Sequence, residues 1–67
     1  MPIGIVQFFL PEKEYGFIRI PETREEIYVK KYNCVDSIQR GDRVSFTIIE
    51  NKGGMEAVNV VLLDKKS

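Results

Sequence analysis

Apolar positions recur with a period of two in five short stretches of the chain, and turn residues separate the stretches. Ile3 to Leu10 (IGIVQFFL) is ended by Pro11, and Tyr15 to Ile20 (YGFIRI) by Pro21. After a polar loop, PETREE, come Ile27 to Lys30 and then Arg43 to Glu50, in which Val44, Phe46 and Ile48 alternate with Arg43, Ser45 and Thr47. The last stretch, Met55 to Leu63, sets Val58, Val60 and Leu62 in register. Such alternation puts successive side chains on opposite faces of a strand, so five strands are predicted. Asn51 to Gly54 (NKGG) reads as a hairpin turn, because glycine adopts positive φ without steric penalty. In the longest segment without strand character, Lys31 to Asp42, Val35 and Ile38 are three apart, enough for one helical turn but not for a packed helix. Residues 64–67 (DKKS) read as a frayed polar end.

Five strands without a helix to cover them either expose edges or close on themselves, and a small barrel removes most of the edges. Ile18, Ile20, Ile27, Val29, Val44, Phe46, Ile48, Val58 and Val60 can fill its inside. Tyr15 and Phe17 then point away from Ile18 and Ile20, and Tyr28 points away from Ile27 and Val29. Phe8 and Phe9 are adjacent, so one of them faces outward unless a bulge intervenes. With the first three strands as neighbours, Phe8, Tyr15, Phe17 and Tyr28 share an outer surface, and Lys13 and Lys30 stand beside it.

An exposed Phe forgoes roughly 1.5–3 kcal/mol of burial. Net stability is only about 5–15 kcal/mol, so several such losses ask for compensation. Single-stranded bases stacked on aromatic rings supply about 1–3 kcal/mol each, and lysines at the rim can take the phosphates. Four rings together on one face therefore read as a binding surface for a single strand, whereas one ring would be an ordinary surface residue. The rival reading is a protein-interaction module in which the same rings receive a peptide or a second copy of the chain.

Composition narrows the choice further. A chain of 67 residues makes one domain, residues 1–67, and a domain of this size buries only about 60% of its unfolded surface. Ten Lys/Arg against ten Asp/Glu give a net charge of zero, so bulk counterion release is not the main attraction for any partner. There is no histidine, and Cys34, the one cysteine, forms no internal disulfide and reads as a small buried or half-buried apolar residue. The apolar runs are too short to span a bilayer and the N-terminus lacks a signal-peptide pattern, so a cytoplasmic setting is expected. Glu25 and Glu26, adjacent on an extended chain, point in opposite directions and make no acid–base pair. No catalytic constellation or metal-ligand spacing is found, so neither enzyme activity nor a cofactor is expected.

The motifs bear a family resemblance. EKEYGFIRI resembles the ribonucleoprotein-type motif of cold-shock domains, K-G-F-G-F-I, and EIYVKK resembles their V-F-V-H. GIVQFF is similar to the opening G-x-V-K-W-F, GDRVSF to G-x-x-V-x-F, and GGMEAVNV to the closing G-P-x-A-x-N-V. These landmarks run in order from Gly4 to Val60 and cover nearly the whole chain. The resemblance implies an all-β, five-stranded antiparallel Greek-key barrel of the oligonucleotide-binding type. It implies binding of single-stranded RNA or DNA with low sequence specificity and a preference for pyrimidines, as an RNA chaperone or cold-shock-type regulator. The implied nucleic-acid contacts are Phe8, Phe9, Lys13, Tyr15, Phe17, Tyr28 and Lys30, with Val6 added to the core. A monomer is expected, with a homodimer as the alternative. Several positions depart from the family's pattern. Phe8 stands where tryptophan is usual, Gln7 where lysine is, Glu14 where glycine is, and Lys30 where histidine is. Lys31 falls at a position where a further aromatic is common, with Tyr32 next to it. The loop from Lys31 to Asp42 is shorter than usual, and PETREE is longer and acidic. Fewer stacking partners imply an affinity near micromolar, about −8 kcal/mol.

Overall fold

The prolines and glycines punctuate the backbone where the alternation ends. A computed structural model describes residues 2–63 and shows strands β1 (Ile3–Leu10), β2 (Tyr15–Ile20), β3 (Glu25–Lys30), β4 (Arg43–Asn51) and β5 (Gly54–Leu62). β3 begins earlier than its apolar residues do, because Glu25 and Glu26 continue the ladder opposite Ile20 and Arg19. Residues 64–67, read above as a frayed end, lie outside the described residues. One 3₁₀ turn, Lys31–Asn33, follows β3, ahead of the Val35–Ile38 pair. Of that pair, Ile38 is buried while Val35 stays exposed.

The strands close in the order β1-β2-β3-β5-β4, and β4 pairs back with β1. The other seams are antiparallel, and the seam between β3 and β5 is parallel, through Tyr28 opposite Glu56 and Val29 opposite Ala57. The core consists of Val6, Ile18, Ile27, Val29, Ile38, Val44, Phe46, Ala57 and Val60. Ile20 and Ile48 pack against it only in part. Val58 is not a core residue, contrary to the alternation read along the last strand. Asn59 adopts a left-handed conformation (φ 53°), and the β4–β5 register shifts between Ser45 and Thr47. This irregularity turns Ala57 and Val60, three apart, to the inside together.

A second irregularity sorts the adjacent phenylalanines. In the β1–β2 pairing Val6 lies opposite Ile18, but Phe8 lies opposite Phe17, so Gln7 is an extra residue in β1. The bulge restarts the alternation one residue late. Phe8 therefore faces outward, and Phe9 packs against the core. Gly16, opposite Phe9, makes this possible, because a Cβ there would overlap the Phe8 carbonyl oxygen and lie 2.7 Å from Phe9 Cδ1.

Candidate nucleic-acid interface

Cross-strand register sets Phe8, Phe17 and Tyr28 side by side on β1, β2 and β3. Tyr15, two residues from Phe17 on the same face, lies opposite Leu10 and Lys30. The four rings form one contiguous cluster. Phe8 and Phe17 have centroids 5.5 Å apart, Phe17 and Tyr28 5.6 Å, and Tyr15 and Tyr28 5.8 Å with planes only 29° apart. Tyr15 meets Phe8 (6.1 Å) and Phe17 (6.4 Å) edge-on, at 85° in both pairs. These separations fall in the range where aromatic pairs attract. The rings are half-buried, not fully exposed, since each shields its neighbours. Holding them outside the core thus costs less than four separate exposures.

Lys30 stands opposite Tyr15 at one end of the cluster. Its Nζ lies 5.6 Å from the centroid of the Tyr32 ring and 3.9 Å from Glu56 Oε2. A hydrogen bond with the Tyr32 side chain, aided by the Glu56 carboxylate, raises its pKa above the ordinary 10.5, so it remains cationic throughout the physiological range. Tyr32 is 77% exposed, a fifth ring at this end of the face. Lys13 is exposed in the turn between β1 and β2, where its amide donates to the Leu10 carbonyl at 3.0 Å.

Phe9 does not join the ring cluster. It lines a separate hollow of about 210 Å³ with Lys31, Cys34, Val35 and Ile38. Cys34 is half-buried; burial raises its pKa, and its thiol donates to the Lys30 carbonyl at 3.6 Å.

Glu56 is a member of the site that sequence reasoning missed. Its carboxylate, 7% exposed, accepts from Asn33 Nδ2 at 2.9 Å and Asn51 Nδ2 at 3.0 Å and faces Lys30. A buried charge persists when it is paired and hydrogen-bonded. Here the partners come from the 3₁₀ turn, the β4–β5 hairpin and β3, three segments whose meeting no local pattern announces. Among the described residues no group of three or more His, Cys, Asp or Glu is placed to hold a metal ion, and no helix is long and apolar enough to cross a membrane.

Glu14 sits beside the platform in a left-handed conformation (φ 65°). Its amide donates to the Leu10 carbonyl at 2.8 Å, and its carbonyl accepts from the Lys31 amide at 3.0 Å, so the conformation is fixed from both sides. A left-handed residue with a Cβ costs roughly 1–2 kcal/mol, which glycine avoids at some expense in chain entropy. Glu14→Gly is expected to raise the unfolding free energy by up to about 1 kcal/mol. Removing the carboxylate should also tighten binding of a single strand two- to fivefold. Paired denaturation and binding titrations check both effects, and a destabilised variant would contradict the strain argument.

Comparisons with known proteins point to one family. The "'Cold-shock' DNA-binding domain" family matches residues 3–63. The chain is 33% identical to the major cold shock protein of Micrococcus luteus over 67 residues, covering 94% of this chain and 100% of that protein. It is 35% identical to cold shock protein CspD of Bacillus subtilis over 68 residues, with the same 94% and 100% coverage. Y-box-binding protein 1 of Xenopus laevis is 35% identical over 66 residues, which cover 87% of this chain but only 22% of that protein. The chain thus spans about a fifth of the Y-box protein's length and the full length of the two bacterial proteins. A solved structure titled drosophila Unr CSD456 superposes with a TM-score of 0.79 at 22% identity, over 98% of this chain and 28% of that one. The last match shows the fold.

Proposed function

The chain belongs to the cold-shock domain family, whose proteins bind single-stranded nucleic acid and are not enzymes, and from this premise we propose that it stacks unpaired bases on Phe8, Tyr15, Phe17 and Tyr28. The observation that carries the reading is the cluster itself: four rings from three adjacent strands, joined by five ring contacts outside the core. Stacking tolerates many sequences because every base has a flat face, so specificity is low, with pyrimidines preferred. Lys13 and Lys30 take phosphates of the same strand. Part of the Lys30 charge is already answered by Glu56, which fits a protein whose affinity comes from rings more than from charge. Holding bases unpaired disfavours RNA hairpins, the action of an RNA chaperone. The chain acts as a monomer, because a homodimer through the rings would cover the stacking surface.

The test is fluorescence anisotropy of an end-labelled hexathymidine at two salt concentrations, with a duplex of equal length as control. A dissociation constant near micromolar, weakening modestly with salt, is expected for the single strand, with far weaker binding of the duplex. Absence of saturable binding to the single strand would sink the reading and favour a protein partner for the same face.

A further inference from the structure

A groove of about 470 Å³ is lined by Arg19, Arg24 and Arg40 together with Ile5, Gln7 and Pro21, and Arg19 places it beyond Phe17 along β2, away from the Tyr15–Lys30 pair. We infer that this groove continues the single-strand track and holds the phosphates of the strand as it leaves the rings. The inference rests on the stacking reading above and adds to it a second contact region and the direction in which the track extends.

Continuity is the first argument. Tyr15, Phe17 and Arg19 alternate on one face of β2 against buried Gly16 and Ile18. Arg19 lies about 7 Å beyond Phe17 along the strand, at the usual rise per residue. Gln7, on the groove wall, is the bulged residue immediately before Phe8. A strand stacked on Phe8 and Phe17 that runs on past them enters the groove.

Charge is the second argument. Among the described residues no side-chain hydrogen bond or ion pair engages Arg19, Arg24 or Arg40, whereas Lys30 is paired with Glu56. Glu26 stands opposite Arg19 in the β2–β3 register yet forms no ion pair with it. Glu22 lines a different hollow with Ile3, Gly4, Ile5 and Arg43, beyond Pro21. In a chain of zero net charge, three unanswered guanidinium groups around one groove concentrate positive potential there. Guanidinium presents a fork of donors that matches phosphate oxygens, and the apolar floor accepts the sugars.

The third argument is that the backbone fixes two of these arginines. Arg24 is held left-handed (φ 63°), its amide bonded to the Ile20 carbonyl at 2.7 Å, at a position where glycine would be less strained. Arg40 rides on a turn closed by the Gln39 amide donating to Asp42 Oδ2 at 2.7 Å. That turn is tied to β1 by Val6 N–H to the Asp42 carbonyl (2.9 Å) and Gly41 N–H to the Val6 carbonyl (2.8 Å). The guanidinium groups therefore project from anchored backbone.

The probe is hexathymidine extended by four abasic nucleotides, on either its 5′ or its 3′ end. The tail adds phosphates and sugars but no bases, and it creates no new register on the rings. At physiological salt, where exposed charges are screened beyond about 8 Å, one of the two tailed strands is expected to bind at least fivefold more tightly than bare hexathymidine. In the variant Arg19→Gln/Arg24→Gln/Arg40→Gln that gain should vanish, while the affinity for bare hexathymidine changes less than twofold. The inference is overturned if neither tail adds affinity, or if the gain survives in the variant. It is equally overturned if the variant loses bare hexathymidine to the same degree, since the arginines would then act on the ring face. Failure of the wild-type protein to bind bare hexathymidine would instead defeat the stacking reading, so the two failures are distinct.

Discussion

Phe17→Ala is expected to weaken hexathymidine binding tenfold or more, the equivalent of about 1.4 kcal/mol or greater. Phe17, like Tyr15, touches all three other rings, with centroids 5.5 Å from Phe8, 6.4 Å from Tyr15 and 5.6 Å from Tyr28. Its truncation removes one stacking platform, worth roughly 1–3 kcal/mol per base. It also withdraws the edge contacts that orient the three remaining rings, which places the expected effect in the upper part of that range. The slope of log affinity against log salt should not change, because no phosphate partner is lost. The melting temperature should move little, since the ring lies outside the core. A loss below twofold in a variant that melts normally would show that bases do not rest on this ring. A lower salt slope would mean that Phe17 acts by positioning lysines.

How much of this was legible beforehand depends on whether a feature is local. β1 and β2 keep the bounds read from the sequence, because Pro11 and Pro21 end them and proline cannot extend a ladder. Period two alone puts Phe17, Tyr15 and Tyr28 on the outer face, and the register sets them there. The same rule could not sort Phe8 from Phe9. The answer lies in the bulge at Gln7, which depends on how β1 pairs with β2 and leaves no mark in β1 itself. Val58 departs from the alternation for a similar reason. The left-handed Asn59 breaks the period, so Ala57 and Val60 turn inward together. Glu56 and the arginine groove were invisible at the level of sequence because each gathers residues from three or more separate segments.

The outer face also explains why the core has little to spare. Seven aromatic residues are present, yet Phe46 is the one aromatic ring among the buried residues, while four others are committed to the surface cluster. The surface cluster thus withholds from the interior side chains that would stabilise it most. A small barrel that keeps such a platform leans heavily on each large residue left inside.

Phe46→Ala is the sharpest probe of that dependence and should lower the unfolding free energy by about 3–5 kcal/mol, the usual range for emptying a buried aromatic site. The ring is fully buried, and Gly4 leaves it room, since a Cβ on Gly4 would lie 3.1 Å from Phe46 Cε1. The backbone around it is hydrogen-bonded into the barrel (Phe46 N–H to the Pro2 carbonyl, 3.2 Å), so the walls have little freedom to collapse into the cavity. For a domain of this size about 4–8 °C of melting temperature goes with each kcal/mol, so a fall of at least about 12 °C is expected by calorimetry or circular dichroism. A fall of less than 5 °C would mean that the barrel relaxes around the missing ring. Phe46 lies on the opposite side of the sheet from the platform, so the folded fraction of the variant should still bind. Hexathymidine at a hundred times its dissociation constant should then restore about 2.7 kcal/mol by mass action. If the strand failed to raise the melting temperature of the variant while raising that of the wild type, core and platform would be coupled through the sheet, and the rings could no longer be treated as a surface carried by a rigid barrel.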